Sequence, residues 1–247
     1  MAAAAQARII PDPISDQQRM LEVGISVRPY DVWMFAGCDP RFGQDGYPGR
    51  VPGQLIANLL YYFTELDDLV LDPMCGGGTT IDVATAMGRR VLGYDIAPCR
   101  DDINAWDILR GLPVKPDGVE ASLIFLDPPY FRKKKYSHGS ISDLSRADYL
   151  SVFGHIARDG LTWLSARGKI ALLMSDFTPA FDGSQPDTIW LWDYIEEFGS
   201  AGFEVERRIQ CPLTTQQLHP SHVAQFIRDK KLARLGRDLI IFRRGSP

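Results

Sequence analysis

Apolar residues in this chain fall into short unbroken runs, separated by longer stretches where they recur every three or four positions. Leu69-Val70-Leu71, Val91-Leu92 and Leu123-Ile124-Phe125-Leu126 are too short for helices and lack polar alternation, so they read as strands covered on both faces. Predicted strands cover 69–72, 90–95, 103–106, 122–126, 168–174, 203–209 and 238–243. Helical spacing fills the intervals at 55–63, 79–88, 146–166, 188–200 and 219–235. Strand and helix alternating in this way predict an α/β fold, a mostly parallel sheet with helices on both faces. Between Asp95 and Asp107 there is room only for a turn where a second crossover helix would stand. Residues 1–25 are polar and contain proline, as in an N-terminal arm or peripheral helix, and 26–247 are expected to form a single domain.

Two predicted strands end in unusual chemistry. The run 122–126 leads into Asp127-Pro128-Pro129-Tyr130. Both prolines fix φ and remove backbone donors, so this corner offers a carboxylate, outward carbonyls and a flat ring. That set suits a planar base with an exocyclic NH₂, which donates two hydrogen bonds while the ring stacks. The bland alternative is a strand followed by a Pro-Pro turn. The run 69–71 leads into Asp72-Pro73-Met74-Cys75-Gly76-Gly77-Gly78-Thr79-Thr80, a glycine bend opening a helix. No lysine precedes Thr79 and no G-x-G-x-x-G spacing is present, so neither a P-loop nor a dinucleotide fingerprint applies. Asp95 closes the next strand, 23 residues after Asp72, where doubly wound folds receive ribose hydroxyls. The bend therefore suits an adenosine-like cofactor without a phosphate requirement.

DPMCGGGTT followed by DPPY resembles the amino-methyltransferases that use S-adenosylmethionine, in particular the DNA adenine-N6 and cytosine-N4 enzymes of small phage or plasmid type. Their glycine motif commonly reads DPFCGSGTT, so Met74 and Gly77 are departures. Val51-Pro52-Gly53-Gln54-Leu55-Ile56 resembles the family's P-x-x-L-I segment, and the resemblance spans roughly residues 30 to 244. It implies a Rossmann-like class I methyltransferase fold with seven strands, the last inserted antiparallel. It also implies a cofactor site formed by Pro52, Asp72, Pro73, Cys75, Gly76, Gly78, Thr79, Thr80, Asp95 and Asp107. Asp101 and Asp102 compete with Asp107 for the place near the cofactor adenine. The catalytic corner would be Asp127, Pro128, Pro129 and Tyr130, with Phe131 a further stacking candidate. DPPY is the commoner form in the adenine group and SPPY in the cytosine-N4 group, so adenine N6 is the expected target. Cytosine N4, an RNA base and a catalytically silent nucleic-acid-binding subunit are the alternatives.

Composition narrows the partners. At 247 residues and 45% apolar content there is core for one ordinary domain, with little room for a large target-recognition domain. The formal net charge is −4, which by itself argues against nucleic acid. Charge is uneven, however: nine Lys and Arg lie between Arg207 and Arg244 against two Asp, Asp229 and Asp238. Lys133, Lys134 and Lys135 follow the DPPY corner, and together with Arg228, Lys230 and Lys231 they are the candidate DNA contacts. A solvated basic face is the plain alternative. A homodimer or a partner subunit could supply target recognition. Trp33 and Phe35 are candidates for stacking on adenine, or core. Thr214-Thr215-Gln216-Gln217 could contact the target strand.

No 18-residue apolar run or signal-peptide pattern is present, so a cytoplasmic protein without a membrane span is expected. Four scattered cysteines (Cys38, Cys75, Cys99, Cys211) fit a reducing compartment, with neither disulfides nor zinc. His219 and His222 have no third ligand nearby, so no metal is expected. Attack at cytosine C5 would need a cysteine in the DPPY loop, so Cys75 is not read as a nucleophile.

Overall fold

The computed structural model describes residues 15–131, 140–176, 188–213, 220–230, 232 and 235–246. Among the described residues, seven strands form one sheet: β1 (Leu69–Asp72), β2 (Arg90–Asp95), β3 (Asn104–Ala105), β4 (Ala121–Leu126), β5 (Leu164–Met174), β6 (Phe203–Gln210) and β7 (Asp238–Arg244). Their order across the sheet is β3-β2-β1-β4-β5-β7-β6. The pairs from β3 to β5 are parallel, and β7 runs antiparallel to both β5 and β6. This is the Rossmann-like sheet expected above. On the far side of β6, Val32 forms a parallel bridge to Gln210, and Trp33 N–H donates to the Gln210 carbonyl at 2.7 Å.

Strand alternation divides the core in two. Leu69, Leu71, Ile124, Leu126, Ile170 and Leu172 point to one face, where α4 (Arg146–Trp163) and α5 (Leu191–Ser200) cover them. Val70, Leu123, Phe125, Ala171 and Leu173 point to the other. That face is covered by α1 (Asp16–Glu22), α2 (Gly53–Phe63) and α3 (Thr79–Ala86). Covering on both sides explains why the strands read as continuous apolar runs. The link from β2 to β3 is indeed a turn.

Element ends differ from expectation for identifiable reasons. The strand expected from 168 begins at Leu164, directly after α4, because β5 bulges between its pairings with Ala121 and Leu123. The helix expected over 219–235 is α6 (Pro220–Arg228); Lys230 adopts φ 51°, a left-handed conformation that halts it. The helix expected from 188 starts at Leu191, where the Asp193 carboxylate accepts the Trp190 N–H at 2.7 Å. Gly88, at φ 70°, lies just past the end of α3.

Helix α1 is held by a buried charge. The Arg89 side chain is fully buried and donates to Asp16, to Thr64 Oγ1 and carbonyl, and to the Met87 carbonyl. Met20, 1% exposed, packs into the same layer. Asp16→Ala strips the guanidinium of its counter-charge and should cost about 3 kcal/mol in chemical denaturation. Arg89→Met, which removes both charge and demand, should cost less.

Candidate functional site

Parallel pairing brings the carboxyl ends of β1, β2 and β4 to one edge of the sheet, and a crevice of about 620 Å³ opens there. Asp72, Pro73, Cys75 and Gly76 form part of its floor, followed by Thr79 and Thr80 from the start of α3. Asp95 and Asp107 line one side, and Pro52, Trp33 and Phe35 line another. Asp127, Pro128, Pro129 and Tyr130 form the wall beyond β4. The two loops singled out in the sequence thus face one crevice. Gly78 sits at the N-cap of α3 rather than on the lining, and of Asp101, Asp102 and Asp107 only Asp107 reaches it.

The glycine bend is built by backbone geometry. Gly76 and Gly78 have φ of 52° and 81°, values a side chain resists. The Gly76 N–H donates to Asp95 Oδ2 at 3.0 Å, and Ala97 N–H donates to Asp95 Oδ1 at 2.9 Å, so Asp95 pins the bend to the end of β2. Asp107 caps a short 3-10 turn, accepting the Leu109 N–H at 3.0 Å, while still lining the crevice.

Asp72 is 2% exposed and accepts the Met74 N–H at 3.2 Å. Burial pushes its pKa up to about 7, against the pull of the Thr80 hydroxyl and the Met74 amide; the Asp127 and Asp95 charges push the same way as burial. Cys75 is buried, and burial raises its thiol pKa far above the ordinary value, which suits packing and not nucleophilic attack.

At the corner, the Tyr130 hydroxyl donates to Asp127 Oδ1 at 3.4 Å. Tyr130 is partly exposed as a whole, but its hydroxyl lies inside, and burial drives its pKa well above that of an ordinary tyrosine. Arg237 hydrogen-bonds this hydroxyl and donates from Nε to the Cys211 carbonyl at 3.1 Å. The Pro129 carbonyl accepts from the Tyr149 hydroxyl at 3.1 Å. Among the described residues no donor takes the Pro128 carbonyl. Phe131 does not join the crevice: it is fully buried, 5.2 Å from the Tyr149 ring, because the chain turns inward after Tyr130.

The basic cluster is thinner than its count. Arg208 pairs with Asp238 and Arg243 with Glu204. Arg244 donates to the Leu161 and Leu164 carbonyls at the end of α4, and Arg237 turns into the crevice. Arg228 and Lys230 are exposed. Lys133, Lys134, Lys135, Lys231, His219 and the stretch Thr214 to Gln217 lie outside the described residues. Among the described residues no group of three or more His, Cys, Asp or Glu could hold a metal, and no helix is long and apolar enough to cross a membrane. Two lining residues were not read as site residues in the sequence: Tyr47, which gave no signal, and Arg237, counted only within the basic tail. Only their folding brings them to the crevice.

Residues 6–103 match the model of the N6/N4-type DNA methylases, described as DNA methylase. The type II methyltransferase M.BglII of Bacillus subtilis is 37% identical over 86 residues, covering 34% of this chain and 24% of that protein. The type II methyltransferase M.HinfI of Haemophilus influenzae is 28% identical over 127 residues, covering 49% and 33%. Over these stretches the chain is similar to the N6/N4 DNA methylases. Its matches span about a quarter to a third of the length of these curated relatives. Among solved structures, TrmN from Thermus thermophilus aligns with a TM-score of 0.48 at 16% identity, covering 80% of this chain and 50% of that one. A putative RNA methyltransferase from Pyrococcus horikoshii aligns at 0.46 and 14%, covering 94% and 98%.

S-adenosylmethionine, the cofactor of such enzymes, fits the residues present. The left-handed glycines bare the backbone of the bend, carboxylates line the crevice of a cationic ligand, and the volume lies in the ~300–1,000 Å³ range of small-molecule sites.

The raised pKa of Asp72 has a consequence for the unliganded protein. The folded form binds this proton more tightly than the unfolded chain does, so stability should fall as pH rises from about 4 to about 7 and level off above that. Asp72→Asn should flatten that decline and be roughly 1–3 kcal/mol more stable than the parent at pH 8. Urea denaturation at pH 5 and pH 8 checks it; an unchanged slope would contradict an uncharged, buried Asp72.

Proposed function

We propose that this protein transfers a methyl group from S-adenosylmethionine to the exocyclic amine of a base in DNA, with adenine N6 the favoured target. The observation that supports this most strongly is the shared crevice: Asp127, Pro128 and Tyr130 line the same cavity as Asp72, Gly76 and Asp95. The preference for adenine rests on the Asp that opens the DPPY corner.

The cofactor supplies an electrophilic methyl on a sulfonium. What remains is to activate a poor nucleophile, since the lone pair of an aromatic amine is delocalised into its ring. Asp127 and the Pro128 carbonyl accept the two N–H bonds of the amine, drawing the nitrogen toward tetrahedral geometry and freeing its lone pair. The Tyr130 hydroxyl donates to Asp127 Oδ1 and so orients the carboxylate. Holding nitrogen and methyl in line supplies much of the rate. After transfer the nitrogen gives up one proton, and Asp127 is the adjacent acceptor. Because the amine of a paired base lies in the stack, the nucleotide must be extruded into the crevice, where the Tyr130 ring can stack on it.

Asp72 and Asp95 act as cofactor ligands in this reading, Asp72 toward the methionine ammonium and Asp95 toward the ribose. An ammonium partner favours the ionised form of Asp72. Affinity for S-adenosylhomocysteine should therefore fall about fivefold to tenfold between pH 8 and pH 6, measured by titration calorimetry. A flat profile would contradict the assignment.

Asp127→Ala should lower transfer by at least about a hundredfold while S-adenosylhomocysteine still binds. Mass spectrometry of nucleosides from treated DNA is the primary experiment. N6-methyladenine supports the proposal and N4-methylcytosine moves the target. Absence of any methylated base with a competent cofactor site would leave the silent-subunit reading. For the DNA contacts, Arg228→Glu with Lys230→Glu should flatten the log–log salt dependence of DNA affinity by about one to two; an unchanged slope would remove α6 from the interface.

A further inference from the structure

Resting on the reading that the crevice takes S-adenosylmethionine, we propose that Tyr47 is a positioning residue that locks residues 43–51 onto the glycine bend and so forms the outer wall of the cofactor site. The starting observation is Gly77. Gly76 and Gly78 need to be glycine because their φ values are left-handed, but Gly77 is not in that region. What Gly77 cannot accommodate is a side chain: a Cβ there would lie 2.9 Å from Tyr47 Cγ and 3.0 Å from Tyr47 Cβ. These atoms sit at the root of the tyrosine and cannot swing aside. The same ring covers Gly76, where a Cβ would come within 2.8 Å of Cε1. The departure from DPFCGSGTT at Gly77 is thus matched by an aromatic ring that occupies the place of the serine side chain.

Three further contacts fasten the strap. The Gln44 N–H donates to the Gly77 carbonyl at 2.7 Å. The Gly43 N–H donates to Asp82 Oδ2 at 2.7 Å, and Asp82 on α3 is itself gripped by both terminal nitrogens of Arg100, at 2.9 and 2.6 Å. Arg50 reaches back to the Gly43 carbonyl at 3.3 Å, closing the strap on itself. Tyr47, Pro48, Gly49, Arg50 and Val51 all line the crevice, so a strap displaced from the bend opens the site to solvent. The polar links fix the strap at its start, and Tyr47 is the contact that seats its middle.

The test is a double-mutant cycle on the full chain, read by calorimetric binding of S-adenosylhomocysteine and by thermal unfolding without ligand. Gly77→Ser is expected to weaken binding about tenfold or more by pushing Tyr47 off the bend, and Tyr47→Ala to weaken it comparably. Gly77→Ser/Tyr47→Ala should bind no worse than Tyr47→Ala, because the serine then has space. Tyr47→Phe should restore most of the affinity lost in Tyr47→Ala. In turnover, Gly77→Ser should raise the KM for S-adenosylmethionine far more than it lowers kcat. Parent-like binding by Gly77→Ser, or effects that add across the cycle in both readouts, would overturn the role of Tyr47. Failure of the parent protein to bind S-adenosylhomocysteine at all would overturn the cofactor reading, and the strap's function with it. The unliganded unfolding cycle would still report whether ring and bend touch.

Discussion

Parallel pairing between β1 and β4 is the constraint on which the rest depends. Leu71 lies opposite Ile124, so both strands run out at the same edge, Asp72 ending one and Asp127 following the other. An antiparallel arrangement would send the two acids to opposite edges of the sheet. The pairing in turn requires apolar cover on both faces, which α1–α3 and α4–α5 provide. Site geometry is therefore a consequence of core packing.

Within that frame, charge and rigidity act together. Three carboxylates, Asp72, Asp95 and Asp127, share one crevice, and the most buried of them holds its proton to about neutral pH. Asp95 spends both oxygens on backbone amides, which fixes the bend but keeps acceptor capacity for hydroxyl donors. A ligand that brings positive charge and hydroxyls relieves this crowding; an anionic phosphate would worsen it. The proposed cofactor, a cationic nucleoside, matches these electrostatics. Around it, the Tyr130 hydroxyl and Arg237 brace the Asp127 corner from the β7 side.

Much of this was legible in the sequence because the signals were local. Short apolar runs mark strands, and DPMCGGGTT and DPPY each place their chemistry within a few residues of a strand end. Less local features were missed. Tyr47 lies in a Gly- and Pro-rich loop with no periodicity, and its partner Gly77 is 30 positions away. Arg237 looked like one more member of a basic tail until folding turned it toward Tyr130. Phe131 seemed equivalent to Tyr130, yet an inward turn of one residue carries it into the core. Charge counting likewise overstated the tail, since Arg208, Arg243 and Arg244 are committed to partners within the fold.

The most direct test of a single shared crevice is a crystal structure of the protein with S-adenosylhomocysteine. The ligand should lie along Gly76 to Gly78, its ribose at Asp95 and its sulfur directed toward Asp127. A ligand seated away from the bend, or with Asp127 walled off from the sulfur, would contradict it.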